Sequence, residues 1–493
     1  MAASDGKPSE RSTTFTTASG TPVEQFYTRE SVAGIEVPRD VGIPGDFPYT
    51  RGTSDRGVWA MRSTSLAGSP AEVNDYLRAV VNGGPSEVAI VPDSVTRAGL
   101  DPDDSSASGR VGSGGVSIAS IADIDALFEG IPLDRVQPCF AINTPAPILL
   151  AMYLALAEER GVSWSNLAGS LHNDIFADAL TDALPVSALA KASRSAAETI
   201  AFVHARLPRF ETPSIDAHAL RVGGATAAQE IGFSLASALE LLHLSESAGV
   251  PAGEFLGRLT FNFAAGSDLF EEIAKLRAAR RVWATLVRER VTGVDGRVGQ
   301  LRCCAIPAGG APESIVGADL VRATVQSLAA ILGGAQSVLS SDGVPSLRAQ
   351  QILATETGVG DEADPFGGAW LVERMTSDLA TEARRLIEKI DEAGGMLAAI
   401  ARGVPQGEIA RGGCGVVAAT RPGAVGVEAA QVDRVRSLRA RRDAVRVARD
   451  LAELRSVAQG AGDTLPALLA CAHSLATIGE MRAALWAAGG AGV

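Results

Sequence analysis

The chain is short of the residues that build metal and redox centres. Its five histidines, His172, His204, His218, His243 and His473, form no HxxxH or HExxH pair in 493 positions. That spacing argues against a helical zinc site, and no metal is expected. Its five cysteines, Cys139, Cys303, Cys304, Cys414 and Cys471, form no CxxC pair. Structural thiols in a reduced, cytoplasmic setting are the expectation. A cationic excess is also missing: Lys+Arg 44 against Asp+Glu 57 gives a net charge of −13. A dedicated nucleic-acid binder and adsorption to anionic membranes are thereby disfavoured. Apolar runs such as 148–157 fall short of the roughly 20 residues that cross a bilayer. The polar first 20 residues show no apolar core of a secretory signal.

What the chain does have is apolar content, 46 %, and length enough for a large core. Residues 1–22 are rich in Ser and Thr, and 23–57 in Gly and Pro, an extended arm. From residue 86 short apolar runs suit strands: EVAIV (87–91), VQPCFAI (136–142), AGSLH (168–172), SIDAH (214–218), RLTFNF (258–263), LRCCAI (301–306) and AQSVL (335–339), with a weaker eighth in DPFGGAWLV (364–372). Helical stretches lie between them, at 147–160, 193–205, 226–248, 268–289 and 317–332. Asp268 with Glu271 makes a capping-box-like start to the fourth. Such alternation predicts a parallel α/β fold, a barrel or a doubly wound sheet. Roughly 290 residues for eight units favours the (β/α)8 TIM barrel, and the Gly112–Gly115 cluster lacks the strand-before, helix-after setting of a dinucleotide fingerprint.

The expected layout is therefore the arm (1–57), the barrel (58–410), a Gly/Ala-rich linker (411–431) and a C-terminal helical segment (432–493). In that segment 432–458 and 465–486 read as one helix each. Barrel sites lie at the C-terminal ends of strands, which places His172-Asn173-Asp174, His218-Ala219, Asn262 and Gln336 on the functional face. The stretch 213–226, PSIDAHALRVGGAT, reads as a strand ending at His218 before a glycine turn and a helix opening at Thr226. Asp216 and His218 begin a DxHxxG-like cobalamin-ligand pattern, but Arg221 stands where its glycine belongs. Asp174, Asp178 and Asp182 share one face of a helix, which reads first as a solvated acidic face. Cys303 and Cys304 point to opposite faces of a strand and read as packing groups. The basic run Arg434–Arg449 reads as a solvated helix face.

Taken together, FPYTRG (47–52), FEGIPLD (128–134), LAGSLHNDI (167–175), GAT (224–226), IAKLRAAR (273–280) with Trp283, AQS (335–337), Asp364-Pro365 with Gly368, GGMLAAI (394–400) and ATIGE (476–480) resemble the acyl-CoA mutases of the methylmalonyl-CoA mutase type. The resemblance spans nearly the whole chain. It implies a barrel threaded by an acyl-CoA, and radical rearrangement with adenosylcobalamin. That cofactor is held in the family by a separate α/β domain that would begin where this sequence ends. Cobalamin is then expected from a partner, either a small cobalamin-binding chain or a mutase subunit, and none is expected on this chain alone.

Residue by residue, the resemblance puts Ala219 at the family's carbonyl-bonding histidine, with His218 beside it. It puts Asp182 at the arginine that pairs a substrate carboxylate, Thr64 at the tyrosine that shields the radicals, and His172 at a glutamine beside the substrate. Arg62, Arg258, Thr260 and Gln336 keep acyl-CoA-contacting positions. Asp182 would repel a substrate carboxylate, and losing a donor at Ala219 typically costs about two to three orders of magnitude in rate. The leading expectation is a non-catalytic barrel, a pseudoenzyme acting in a heterodimeric mutase complex. The competing ones are an active large subunit or a barrel repurposed for another substrate through His172, Asp182 and His218, and a module that only sequesters an acyl-CoA.

Overall fold

A computed structural model of the chain describes residues 15–54, 59–82, 87–181, 183–308, 317–340, 344–412, 426–460 and 462–486. Its centre is made of short runs in which one face is apolar and the other lines a lumen. They are β1 (Ala60–Thr64), β2 (Glu87–Ile90), β3 (Gln137–Phe140), β4 (Ala168–Leu171), β5 (Arg209–Glu211 continued by Ser214–Ile215), β6 (Thr260–Ala265), β7 (Cys303–Pro307) and β8 (Ser337–Ser340). Neighbours pair in parallel, and β8 returns to β1 with Leu339 opposite Arg62. The two halves of β5 flank Thr212-Pro213, since proline offers no N–H to a ladder. The first half pairs with β4 and the second with β6. Ser214 N–H donates to His172 O at 2.9 Å and closes the ring. The result is the expected (β/α)8 barrel.

The helices follow local signals. Pro147 sits in the first turn of α1 (Ala146–Glu159), where a missing N–H costs nothing. Asp174 caps α2 (Ile175–Leu180), which precedes α3 (Leu189–Arg206). Asp216 caps α4 (Ala217–Val222), and Thr226 with Gln229 forms a reciprocal capping box at α5 (Ala227–Ser247). Asp268 caps α6 (Leu269–Arg290) by accepting from Glu271 N–H. One core lies between the later helices and strands, centred on Phe261, Phe263 and Trp283. A second joins Phe128, Phe140 and Tyr153 to the C-terminal helices. That second core explains why α1 is apolar all round: the barrel covers one side and the C-terminal segment the other.

Arg280 ties the arm to the barrel by donating to Tyr49 O and Thr50 O, each at 2.9 Å. The C-terminal segment folds as four helices, α7 (Val427–Arg441), α8 (Ala444–Gln459), α9 (Leu465–His473) and α10 (Ile478–Trp486), where the sequence suggested two. Asp443 caps α8 and Thr477 supports the start of α10, so each break has a polar group to satisfy it. The arginine run is not simply solvated. Arg434 pairs with Asp123 at 2.7 Å, Arg439 with Asp101 and Asp103 at 2.6 Å, and Arg442 with Glu480 at 2.5 Å. Arg434 and Arg439 rivet the segment to the barrel, and Arg442 ties the end of α7 to α10 within it.

Three strand expectations change. Residues 364–372 are a turn leading into the helix Trp370–Glu392, because Pro365 and Gly368, at φ 87°, break extension. The remaining stave is instead β1. The run 214–218 stops at Ile215, where Asp216 turns to cap α4, so His218 is helical and not at a strand end. Most of the expected linker, 413–425, and Cys414 with it, lie outside the described residues; α7 already begins at Val427.

Candidate functional site in the barrel lumen

The C-terminal ends of β3, β4, β5 and β6 carry a continuous polar network. After β4 the backbone passes through His172 and Asn173, the latter at φ 58°, a conformation asparagine tolerates better than most residues. That turn brings His172 under the strand ends and Asp174 to the start of α2. Asp174 accepts from Phe176 and Ala177 N–H at 3.1 and 3.2 Å and from Asp216 N–H at 2.9 Å. Asn143, just past β3, donates to Asp216 Oδ2 at 3.2 Å and to Asp178 Oδ1 at 3.1 Å. Asp178 also accepts from Thr144 N–H and Oγ1–H, at 2.9 and 2.5 Å. Asp174 is buried and Asp178 half-buried, so these carboxylates form a barrel-mouth network and not a solvated acidic face.

His172 sits at the junction. Its Nδ1 faces Asp216 Oδ2 at 3.7 Å, an ionic contact longer than a hydrogen bond. Its Nε2 lies 3.2 Å from Asn262 Nδ2, which also donates to Ser214 Oγ at 2.7 Å. Thr260 Oγ1–H donates to the same Ser214 Oγ at 2.6 Å. Burial opposes a charge on His172. Asp216 and the Cys139 thiol outweigh it and lift the ring's pKa to about 10. Asp216 is half-buried; desolvation pushes it up, but His172, His218 and Asn143 hold it well below the usual carboxylate range. Burial lifts Asp174 to about 7 and raises Asp178. It lowers His218, although Asp216 pulls the other way. Neighbouring titratable groups are thus pushed in opposite directions, the pattern expected of acid–base sites. Asn262, with its amide as drawn, favours a neutral ring at Nε2; turned by 180° it offers Oδ1 to an imidazolium.

At the N-terminal end of the barrel charged side chains pair. Arg62 pairs with Glu87 at 2.5 Å and Arg302 with Glu211 at 3.0 Å. Arg62, Glu87 and Glu211 border a pocket of about 120 Å³ with Gln137, Cys139, Ser170 and Arg209. Between the two halves lies an apolar layer of Ala89, Cys304 and Leu339, with Cys139 and Ile306 packed on it. Cys303 faces the outer core instead, as alternation along a strand requires.

The residues singled out in the sequence are distributed over both halves. His172 and Asp174 meet in the network, with Thr260 at its far end. His218 and Ala219 are half-buried on α4, where Ala219 N–H donates to Asp216. Asp182 lies outside the described residues. Thr64 is buried at the end of β1, its hydroxyl 3.4 Å from Ser65 O. Arg258 donates to Val203 O and Leu207 O at 3.4 and 3.2 Å. Gln336 precedes β8 and so stands at the N-terminal rim, not on the C-terminal face; it accepts from Cys303 N–H at 2.8 Å and donates to Thr53 Oγ1 at 2.9 Å. Cys139 and Asn143 were missed. Asn143 carried a signal, a polar residue just past an apolar strand run, whereas nothing along the sequence points from Cys139 to His172. Among the described residues no group of three or more His, Cys, Asp or Glu side chains is set to hold a metal.

The Asp216–His218 pair does not form a cobalamin-ligand loop, because Asp216 is committed to His172, Asn143 and the α4 cap, and His218 is in that helix's first turn. A closed barrel with a polar lumen and acyl-CoA-mutase signatures in order along the chain defines an acyl-CoA mutase-type barrel subunit. The chain belongs to the methylmalonyl-CoA mutase family, whose sequence model matches residues 16–423 and 416–491. It is 32% identical over 421 residues to the 2-hydroxyisobutanoyl-CoA mutase large subunit of Aquincola tertiaricarbonis, a match covering 82% of this chain and 75% of that protein. It is 30% identical over 514 residues to the methylmalonyl-CoA mutase of Cereibacter sphaeroides, covering 96% and 72%. With the methylmalonyl-CoA mutase of Escherichia coli it shares 32% over 410 residues, covering 79% and 57%. Among the described residues no helix is long and apolar enough to cross a membrane.

Proposed function

We propose that this chain is the barrel subunit of an acyl-CoA mutase assembly and does not itself carry out the cobalamin-dependent rearrangement. The observation that carries this is the occupied N-terminal lumen. Arg62 and Glu87, paired from neighbouring strands, line a pocket there of about 120 Å³, below the roughly 300–1,000 Å³ of ordinary small-molecule sites. At the opposite mouth the carbonyl-bonding position is the methyl group of Ala219, which offers no donor. Arg258, Thr260 and Gln336, the positions that resemble acyl-CoA contacts, spend their polar groups on the protein itself. The partner that supplies catalysis, and adenosylcobalamin with it, is a second mutase chain in a cytoplasmic complex.

The test is reconstitution. The purified chain alone should leave adenosylcobalamin unbound in equilibrium dialysis, and adding it to a full-length mutase partner should raise that partner's thermal stability and yield of activity. Turnover of an acyl-CoA by this chain with only a small cobalamin-binding chain would overturn the reading. One observation favours that second reading, an active large subunit or a barrel repurposed for another substrate: the opposed titrations of His172, Asp216 and Asp174. It requires turnover to fall when His172 is replaced by Gln.

A further inference from the structure

The long helix Trp370–Glu392 turns its large aliphatic side chains inward, Val372, Leu386, Ile387 and Ile390 among them. Two neighbouring helices on the outside of the barrel do the reverse. Ala318–Leu332 joins β7 to β8, Val344–Glu356 follows β8, and the two pack side by side. The first buries Ala323, Gln326, Ser327, Ala329, Ala330 and Ile331, mostly small or polar, and leaves Val321 66 % and Val325 41 % exposed. The second buries Ser346, Gln350 and Leu353 and leaves Val344 and Ile352 each 50 % exposed. The inward glutamines have partners there. Gln350 accepts from Trp59 Nε1–H at 3.1 Å and donates to Ser340 Oγ at 2.9 Å, and Gln326 donates to Ser267 Oγ at 3.3 Å. The polar side of each helix is thus spent on the barrel, and the branched aliphatic side faces out. A contiguous apolar face of this kind marks a surface that another protein surface covers.

The charges on the second helix say which surface. Arg348, Ile352 and Glu356 stand at i, i+4 and i+8, are all exposed, and so share one outward face. The row is a cation, an isoleucine and an anion, and its reverse is its own electrostatic complement. An antiparallel copy crossing at Ile352 sets each Arg348 against the other copy's Glu356, and isoleucine against isoleucine. Among the described residues neither charge has an ion-pair partner within the chain; Arg348 donates to Gln351 at 2.8 Å. Consecutive outer helices of a barrel run in the same direction, so the axis that pairs this row also sets the Val321–Val325 stripe against its own copy. Asp319 and Arg322, paired at 2.6 Å, leave no net charge at the end of that stripe. We propose that this face is an isologous interface between two copies of this chain, with the two-fold axis passing at Ile352.

The experiment uses the full chain alone. It contains neither adenosylcobalamin nor a mutase partner, so its failure is separate from failure of the assembly proposal. Sedimentation velocity over about a hundredfold range of concentration should show a species of twice the 50.7 kDa chain mass that dissociates on dilution. Ile352→Glu sets two carboxylates at the axis. Arg348→Glu and Glu356→Arg each set like charges against one another at both symmetric contacts. Each of the three should weaken self-association by at least about tenfold. The exchanged pair, Arg348→Glu with Glu356→Arg, should return it to within about threefold of the parent. Ile352→Cys should form an interchain disulfide under mild oxidation, whereas Val445→Cys, at a site 81 % exposed on α8, should not. Circular dichroism checks that each variant folds. A monomer across the whole range overturns the proposal, as does a dimer that persists in Ile352→Glu. An exchanged pair no better than the single reversals, or an Ile352→Cys chain that stays unlinked, overturns it as well.

Discussion

Replacing Asp216 by Asn tests the electrostatics of the lumen most directly. The ring of His172 is 4 % exposed, and burial alone would hold it neutral. Its pKa of about 10 therefore rests on Asp216 and Cys139. An opposite charge at this range moves a pKa by about 1–3 units, or about 1.4–4 kcal/mol at 1.36 kcal/mol per unit. Because the folded value lies above the unfolded one of about 6.5, the stabilisation is complete below pH 6.5 and is lost as pH rises from there to about 10. Seen from Asp216, whose folded value is depressed, the same pairing is lost only in strong acid. Five histidines make the assay tractable: a heteronuclear spectrum of ring-labelled protein, with His172 assigned by its disappearance in His172→Gln. In the parent protein the His172 ring should remain charged at pH 8. In Asp216→Asn its midpoint should fall by at least about one unit. The parent should also lose its stability advantage over Asp216→Asn between pH 6.5 and 10. A His172 midpoint near 6.5 in the parent protein, or an unchanged midpoint in the variant, refutes the reasoning.

Two further predictions concern the frame that holds the site. Lys275 donates to Glu230 Oε2 and Ala264 O, both at 2.7 Å, and pairs with Glu272 at 2.5 Å, all fully buried. Lys275→Met leaves the buried carboxylates of Glu230 and Glu272 only their longer contacts to Arg221, at 3.9 and 3.8 Å, and should destabilise by about 3–5 kcal/mol in urea unfolding, with partial recovery when Glu230→Gln is added; a change under about 0.5 kcal/mol would show the cluster is not charged. A Cβ on Gly115 would lie 2.4 Å from Val91 O and Pro92 C, backbone atoms that cannot turn aside. Gly115→Ala should lower stability by about 1–3 kcal/mol by the same measurement, and a neutral result would mean that the loop shifts freely.

How far the sequence could be read depended on which face of each strand was apolar. Parallel strands covered by helices give continuous apolar runs, so β2, β3, β4, β6, β7 and β8 were legible to within a few residues. β1 was not, because its run, Ala-Met-Arg-Ser-Thr, carries polar groups on both faces: Arg62 pairs with Glu87 in the lumen, and Ser63 meets Tyr76 of the covering helix 70–82. The false eighth strand drew on Phe366, Trp370 and Val372, yet Trp370 is 49 % exposed at a helix start, so its apolar character did not mark a sheet. The site was half legible for a different reason. Strand ends say where barrel chemistry sits, and that places His172, Asp174 and His218 near the mouth from the sequence alone. The partners come from staves far apart in the chain: Asn143, Asp216 and Asn262 reach His172 through closure of the ring, which no spacing encodes. Cys139 lies between these cases. Phe140 packs outward against Phe128 and Tyr153, and strand alternation then requires its neighbour Cys139 to face inward. The direction of that thiol follows from Phe140 alone, whereas its place opposite Ser170 depends on β3 and β4 lying side by side in register.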